Sequence, residues 1–122
     1  MATLQSFEEL ECWKACRQIV RWTMEVSLKF PKDENFDLKD NMRRAARSTT
    51  RNIAEGFGRH HHKENMQHYR ISRGSLYELI DDVITAYEEQ YISAEEYEQG
   101  RQLINRSIQL INGYINYLKR LN

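Results

Sequence analysis

Apolar residues recur at helical spacing in four stretches of the chain, with polar residues between them. In the first, Leu10, Trp13, Cys16, Val20, Met24 and Leu28 predict one buried face, with Lys14, Arg17, Arg21 and Glu25 turned outward. Ser6 with Glu9 reads as a capping box, so this helix is expected to begin near Ser6. Phe30-Pro31 is expected to stop it, because proline disfavours a helical residue before it. After a charged loop, Asp37 is a candidate N-cap for the second helix, whose inner face reads Met42, Ala45, Ala46, Thr49, Ile53 and Phe57. Gly56 and Gly58 are expected to end it through a left-handed cap. The third helix is predicted over 63–91, with Met66, Tyr69, Leu76, Ile80, Val83 and Tyr87 as its seam. Gly74 lies inside that seam and predicts close approach of another helix, matched by small residues such as Ala45, Ala46 and Ala54.

Ser93 with Glu96 is a second capping box and opens the fourth helix. Tyr97, Ile104, Ile108, Ile111, Ile115 and Leu118 form one stripe along it. Leu103, Leu110, Tyr114, Tyr117 and Leu121 form another. One bundle core needs one stripe, so the second predicts packing against another subunit. Short loops make consecutive helices antiparallel neighbours, and the expected fold is all-α: an antiparallel up-down-up-down four-helix bundle occupying 1–122 as a single domain.

Composition fits this outline. A chain of 122 residues with 40% hydrophobic and 30% charged side chains supports one globular core. Five glycines and one proline leave too few turns for a β-sandwich. No apolar run is long enough to span a bilayer, and the first residues lack a signal-peptide pattern, so no membrane association and a cytoplasmic location are expected. Cys12 and Cys16 are four apart, the spacing of small core residues on one helix rather than of a redox or zinc pair.

Net charge is zero, but the charges are segregated. Residues 1–40 carry 6 basic and 8 acidic side chains, residues 41–75 carry 8 and 2, residues 76–100 carry 0 and 8, and residues 101–122 carry 4 and 0. Such a dipolar surface can bind a polyanion at one place, or pair its basic and acidic segments within the fold or between copies.

Several words in the chain have a familiar form: Phe7-Glu8-Glu9-Leu10-Glu11-Cys12-Trp13, Phe30-Pro31 and Arg43-Arg44-Ala45-Ala46-Arg47-Ser48. The most specific is Asn52-Ile53-Ala54-Glu55-Gly56-Phe57-Gly58-Arg59, followed by Arg73-Gly74-Ser75-Leu76-Tyr77-Glu78-Leu79 and Tyr91-Ile92-Ser93. Over nearly its whole length the chain resembles the bacterial four-helix-bundle family that includes proteins encoded in intervening sequences of 23S ribosomal RNA genes. The resemblance implies an antiparallel bundle commonly assembled as a homopentamer. A similar bundle and pentamer is the accessory protein of diversity-generating retroelements, which binds nucleic acid and a reverse transcriptase. No biochemical activity is established for the intervening-sequence family as a whole. The chain departs from the pattern at Thr49-Thr50-Arg51, where the family usually has Ile-Pro and hence a helix kink, and at Asp81 and Asp82, where threonine is common.

Four groups of residues are candidates for function. Arg43, Arg47 and Arg51, four apart, line one helix face, and Arg59, Lys63 and Arg70 could extend it. Arginine suits phosphate because its planar fork donates parallel hydrogen bonds, so this row is the candidate nucleic-acid-binding surface. Pairing with the carboxylates of 76–100 is the alternative. Few aromatics interleave with the arginines, so single-strand stacking is not indicated.

Arg44, Asn52, Glu55, Arg73 and Glu78 form the second group, expected as a structural polar network because Glu55 and Glu78 fall beside small and apolar residues. No nucleophile, oxyanion loop or metal set accompanies them, so catalysis and cofactors are not expected. A nuclease would have to use Glu78, Asp81 and Asp82 to hold a metal. His60, His61, His62 and His68 read as a solvated loop that adds positive charge in mild acid, rather than as a metal site. Tyr91, Tyr97, Tyr114 and Tyr117 read as interface anchors. The expected function is therefore a non-enzymatic oligomeric interaction protein that binds RNA, DNA or a nucleoprotein partner. The alternative is a structural or protein-binding module with no nucleic-acid role.

Overall fold

A computed structural model describes residues 4–59 and 61–121. Among them lie four α-helices: α1 (Glu11–Ser27), α2 (Leu38–Phe57), α3 (His62–Glu88) and α4 (Ala94–Arg120). Short 3-10 turns at Phe7–Glu9 and Lys32–Glu34 precede α1 and α2, and no strand occurs among the described residues.

Cross-helix contacts give the topology. Ser75 donates to Ser48, Ser72 to the carbonyl of Thr49, and His68 meets Asn52, so numbers rise along α3 as they fall along α2. Arg73 with Asn112 and Tyr87 with Tyr97 set α3 against α4 in the same antiparallel sense. Lys29 with Glu96 and Trp22 against Gly100 close α1 onto α4. The backbones of the diagonal pairs α1/α3 and α2/α4 do not approach one another. This is the expected up-down-up-down arrangement.

One continuous core runs through the four helices, with Ile19, Met42, Ile53, Tyr69, Leu76, Leu79, Ile104 and Ile111 fully enclosed. Cys12 and Cys16 are buried in it as free thiols. The first stripe of α4 is buried at Ile104, Ile108, Ile111, Ile115 and Leu118, while Leu103, Leu110 and Tyr114 are only half-buried and Tyr117 and Leu121 are exposed.

Several local details differ from expectation. Ser6 caps the 3-10 turn by accepting from the amide of Glu8, and α1 proper begins at Glu11 after the extended Leu10. The seam of α3 is rotated slightly: Leu76, Leu79, Val83 and Ala86 are buried, whereas Ile80 is half-buried and Tyr87 exposed. No glycine adopts positive φ among the described residues, so Gly58 ends α2 in ordinary right-handed geometry at φ −77°.

The left-handed position belongs instead to Gln90, at φ 65° after α3. There Gln90 donates to the carbonyl of Tyr87 and Tyr91 to that of Ala86, the paired bonds of a Schellman motif. Gly74 faces open space. The close approaches are at Gly56, where a Cβ would lie 2.9 Å from Asn65 Oδ1, and at Gly100, where it would lie 2.4 Å from the Trp22 ring.

Candidate nucleic-acid interface

Asp37 occupies the N-cap position of α2, as expected, but contributes no side-chain capping bond. From there Lys39, Arg43, Arg47 and Arg51 climb the helix on its outer side, because steps of four residues return to nearly the same face. Arg43 is half-buried and braced: its Nε donates to Ser27 Oγ at 2.9 Å and one terminal nitrogen reaches the carbonyl of Met24 at 3.5 Å. Arg47 lies over the sulfur of Met24 at 3.9 Å, and Arg51 is exposed. The guanidinium of Arg43 is thus held in place with donors left over, which lowers the ordering cost of binding an anion.

Two shallow depressions follow the row. One of 300 Å³ is lined by Asn35, Lys39, Asp40, Arg43 and Arg47. The next, of 380 Å³, is lined by Asp40, Arg44, Arg47, Ser48 and Arg51. Asp40 belongs to both and stands 3.9 Å from Arg44, leaving an excess of positive charge in each.

The predicted extension of the row does not assemble. Arg59 is engaged by Glu55 at 2.7 Å, and this donation holds the Glu55 carboxyl below the usual range. Lys63 and Arg70 are exposed on α3, which turns His68, Ser72 and Ser75 toward α2 and Tyr69 and Arg73 toward α4. At 100° per residue, Lys63 and Arg70 point away from both neighbours.

Two arginines passed over in the sequence do belong here. Arg17 and Arg21 precede Met24 by seven and three residues and share its flank of α1, the flank that receives Arg43 and Arg47. The antiparallel pairing of α1 and α2 is the signal that would have found them. Among the described residues, none of Arg17, Arg21, Arg43, Arg47 and Arg51 forms an ion pair. Of the carboxylates in 76–100, only Glu96 does, with Lys29.

The expected five-residue polar network is likewise dispersed. Arg44 donates to Asn41 at 2.6 Å, Asn52 to the carbonyl of Ser48 at 2.9 Å, and Arg73 to Asn112 at 2.7 Å. Glu55 and Glu78 are exposed rather than buried, so neither needs a buried counter-charge. Helical rotation explains this: each stands one step from a buried residue, and one step is 100°.

Acidic α3 behaves differently from basic α2. Burial, then the neighbouring charges of Asp81 and Glu78, push Asp82 up to about 6. No group of three His, Cys, Asp or Glu side chains is placed to hold a metal ion among the described residues. His61 and His62 are exposed, His68 is tied to Asn52 at 3.2 Å, and His60 lies outside the described residues.

The tyrosines serve several seams. Tyr91 donates to Glu34 at 2.7 Å, and Arg101 donates to the Tyr97 hydroxyl at 2.7 Å while lying over its ring. Tyr114 packs against Tyr69 and Tyr117. Beside it an apolar groove of 420 Å³, open to solvent, runs between Leu10 and Leu110. No helix is long and apolar enough to cross a membrane among the described residues.

Comparison with known proteins gives two matches of different kinds. Residues 8–113 match the family model described as 23S rRNA-intervening sequence protein. A solved structure from Bacteroides thetaiotaomicron VPI-5482, described as a protein with unknown function from the S23 ribosomal protein family, superposes with a TM-score of 0.79. It is 14% identical, and the match covers 85% of this chain and 97% of that one, a likeness of fold. No curated protein gives a significant match.

Proposed function

The chain belongs to the 23S rRNA-intervening sequence protein family, and we propose that it is a non-enzymatic interaction protein whose arginine face on α1 and α2 holds the phosphate backbone of a nucleic acid. One observation carries this: Arg43, Arg47 and Arg51 stand evenly spaced on one face with no carboxylate among the described residues in ion-pair contact. An unneutralised arginine row attracts a polyanion, and each phosphate it covers releases counterions. The half-exposed second stripe of α4 supports assembly with other copies, in the proposal as a homopentamer, and a ring would present the arginine face several times over.

The test is a mobility-shift titration of ribosomal RNA and generic duplex DNA at two salt concentrations. Reversing Arg43, Arg47 and Arg51 to Glu is expected to leave the helical circular dichroism intact and reduce the salt slope by about 3. Unchanged binding by the triple variant rejects the surface.

A protein-binding module without nucleic acid is the alternative, and the open acidic stretch of α3 favours it, since it could meet the basic row of another copy. Light scattering separates the two: an assembly held by such charge pairs loosens in salt, whereas one held by the Leu and Tyr residues of α4 does not.

A further inference from the structure

We infer that Phe36 is a stacking platform for one unpaired base, placed at the foot of the arginine row. This rests on the proposed phosphate-binding role and specifies the ligand: a strand with an unpaired base beside the phosphates that Arg43 and Arg47 hold.

Two observations meet at this place. Phe36 is 96% exposed and Leu28 72%, and no other large hydrophobic among the described residues is as open to solvent. Each is the chain neighbour of a residue at the basic depression on α2. Phe36 follows Asn35, which lines that depression with Lys39, Arg43 and Arg47 and accepts from Lys39 Nζ at 3.3 Å. Leu28 follows Ser27, the anchor of Arg43 Nε. The backbone explains why the ring stays outside. Asp37 sits at φ −132° and ψ −106°, a non-helical turn, and the apolar positions on either side, Phe30 and Leu38, are the ones that fill the core.

An aromatic face next to arginines is the combination that holds single strands, with cations tracking the backbone and the ring taking a base. A protein partner would be expected to meet a contiguous apolar patch. Here Lys39, Asp40, Arg43 and Arg47 surround the depression instead. Tryptophan and tyrosine do not accompany the row: Trp13 and Trp22 on α1 are at most half-exposed, and the described tyrosines lie on α3, α4 and the turn between them. The row therefore offers a single stack, and duplex flanked by an unpaired base fits it better than a long single strand.

The experiment compares a blunt duplex, the same duplex with a short single-stranded overhang, and the single strand alone, each as RNA and as DNA. Wild type, Phe36→Ala, Phe36→Trp and Arg47→Glu are titrated at two salt concentrations. Wild type is expected to prefer the overhang duplex. Phe36→Ala should lose roughly tenfold on that probe, keep its blunt-duplex affinity and keep its salt slope, since no charge is removed. Phe36→Trp should restore binding, with its emission quenched on stacking. Arg47→Glu should weaken all probes alike.

Overhang binding by Phe36→Ala equal to wild type, with Arg47→Glu impaired, overturns the stacking role and leaves the phosphate-binding surface standing. No binding of any probe by wild type overturns both. A change in sedimentation of Phe36→Ala, with nucleic-acid binding intact, assigns the ring to contact with a second copy and also overturns the inference.

Discussion

The outer face of α1 and α2 and the outer end of α3 carry opposite charges and are built on opposite terms. On the first, arginines are braced by neutral partners: Ser27 Oγ, the Met24 carbonyl and the Met24 sulfur. On the second, burial first and then the crowding of Asp81 and Glu78 push Asp82 up to about 6. A neutral brace orients a cation without consuming its charge. Crowding does the reverse, since it makes the folded state bear the repulsion. The zero net charge of the chain thus conceals one surface of braced arginines and one of crowded carboxylates.

The largest expected effect breaks the basic side of this contrast. Arg17→Glu with Arg21→Glu should weaken nucleic-acid binding on the order of thirtyfold at moderate salt and reduce the salt slope by about 2, read by the same titration. An unaffected slope would confine the surface to α2.

Next comes the α1–α4 seam, which shows that the other flank of α1 is used for packing. Gly100→Ala should destabilise by about 1–2 kcal/mol in urea unfolding, because overpacking against the enclosed Trp22 ring exceeds the gain in helix propensity.

Asp82→Asn probes the acidic side. The carboxyl of Asp82 is raised in the folded state, so the native protein holds more protons between about pH 4 and 6, and stability falls as pH rises through that window. At pH 7 the Asn variant should be more stable by about 1 kcal/mol, allowing for solvent screening of a half-exposed group, and the advantage should vanish near pH 4. Melting curves at pH 4 and pH 7 provide the check. The smallest effect is Gly74→Ala, a gain of about 0.5–1 kcal/mol, because a Cβ there meets open space and only the helix propensity changes.

The glycines illustrate what the sequence could and could not convey. Gly74 and Gly100 both interrupt helical stretches, and nothing local distinguishes them. Which one is pressed by a neighbour depends on Trp22, far away in the chain, and on the bundle closing α1 onto α4. Within-turn signals were readable in part: the capping box of Ser93 and Glu96 forms with both of its bonds, whereas Ser6 caps a 3-10 turn and Gly58 takes no left-handed cap. The helical period was readable, since the bundle order follows from four apolar stripes and short loops.

The candidate site was half legible. Arg43, Arg47 and Arg51 lie on one helix, and their spacing places them. Arg17 and Arg21 join through antiparallel pairing, and Arg59 leaves because Glu55 is one turn away and engages it. Phe36 could not be recognised from composition, since whether a ring faces core or solvent was decided by the turn at Asp37.

Cys12 and Cys16 have a practical use that follows from their enclosure. Burial above all pushes their thiols up to about 12 and about 11, so reactive thiolate is nearly absent while the helices stay together. Alkylation of the fully enclosed Cys16 requires transient opening, which makes its labelling rate a clock for how often the bundle breathes. Because both sulfurs sit on α1, which packs on one side against the arginine-bearing helix and on the other against α4, slower labelling on adding nucleic acid would report that the occupied face holds α1 shut.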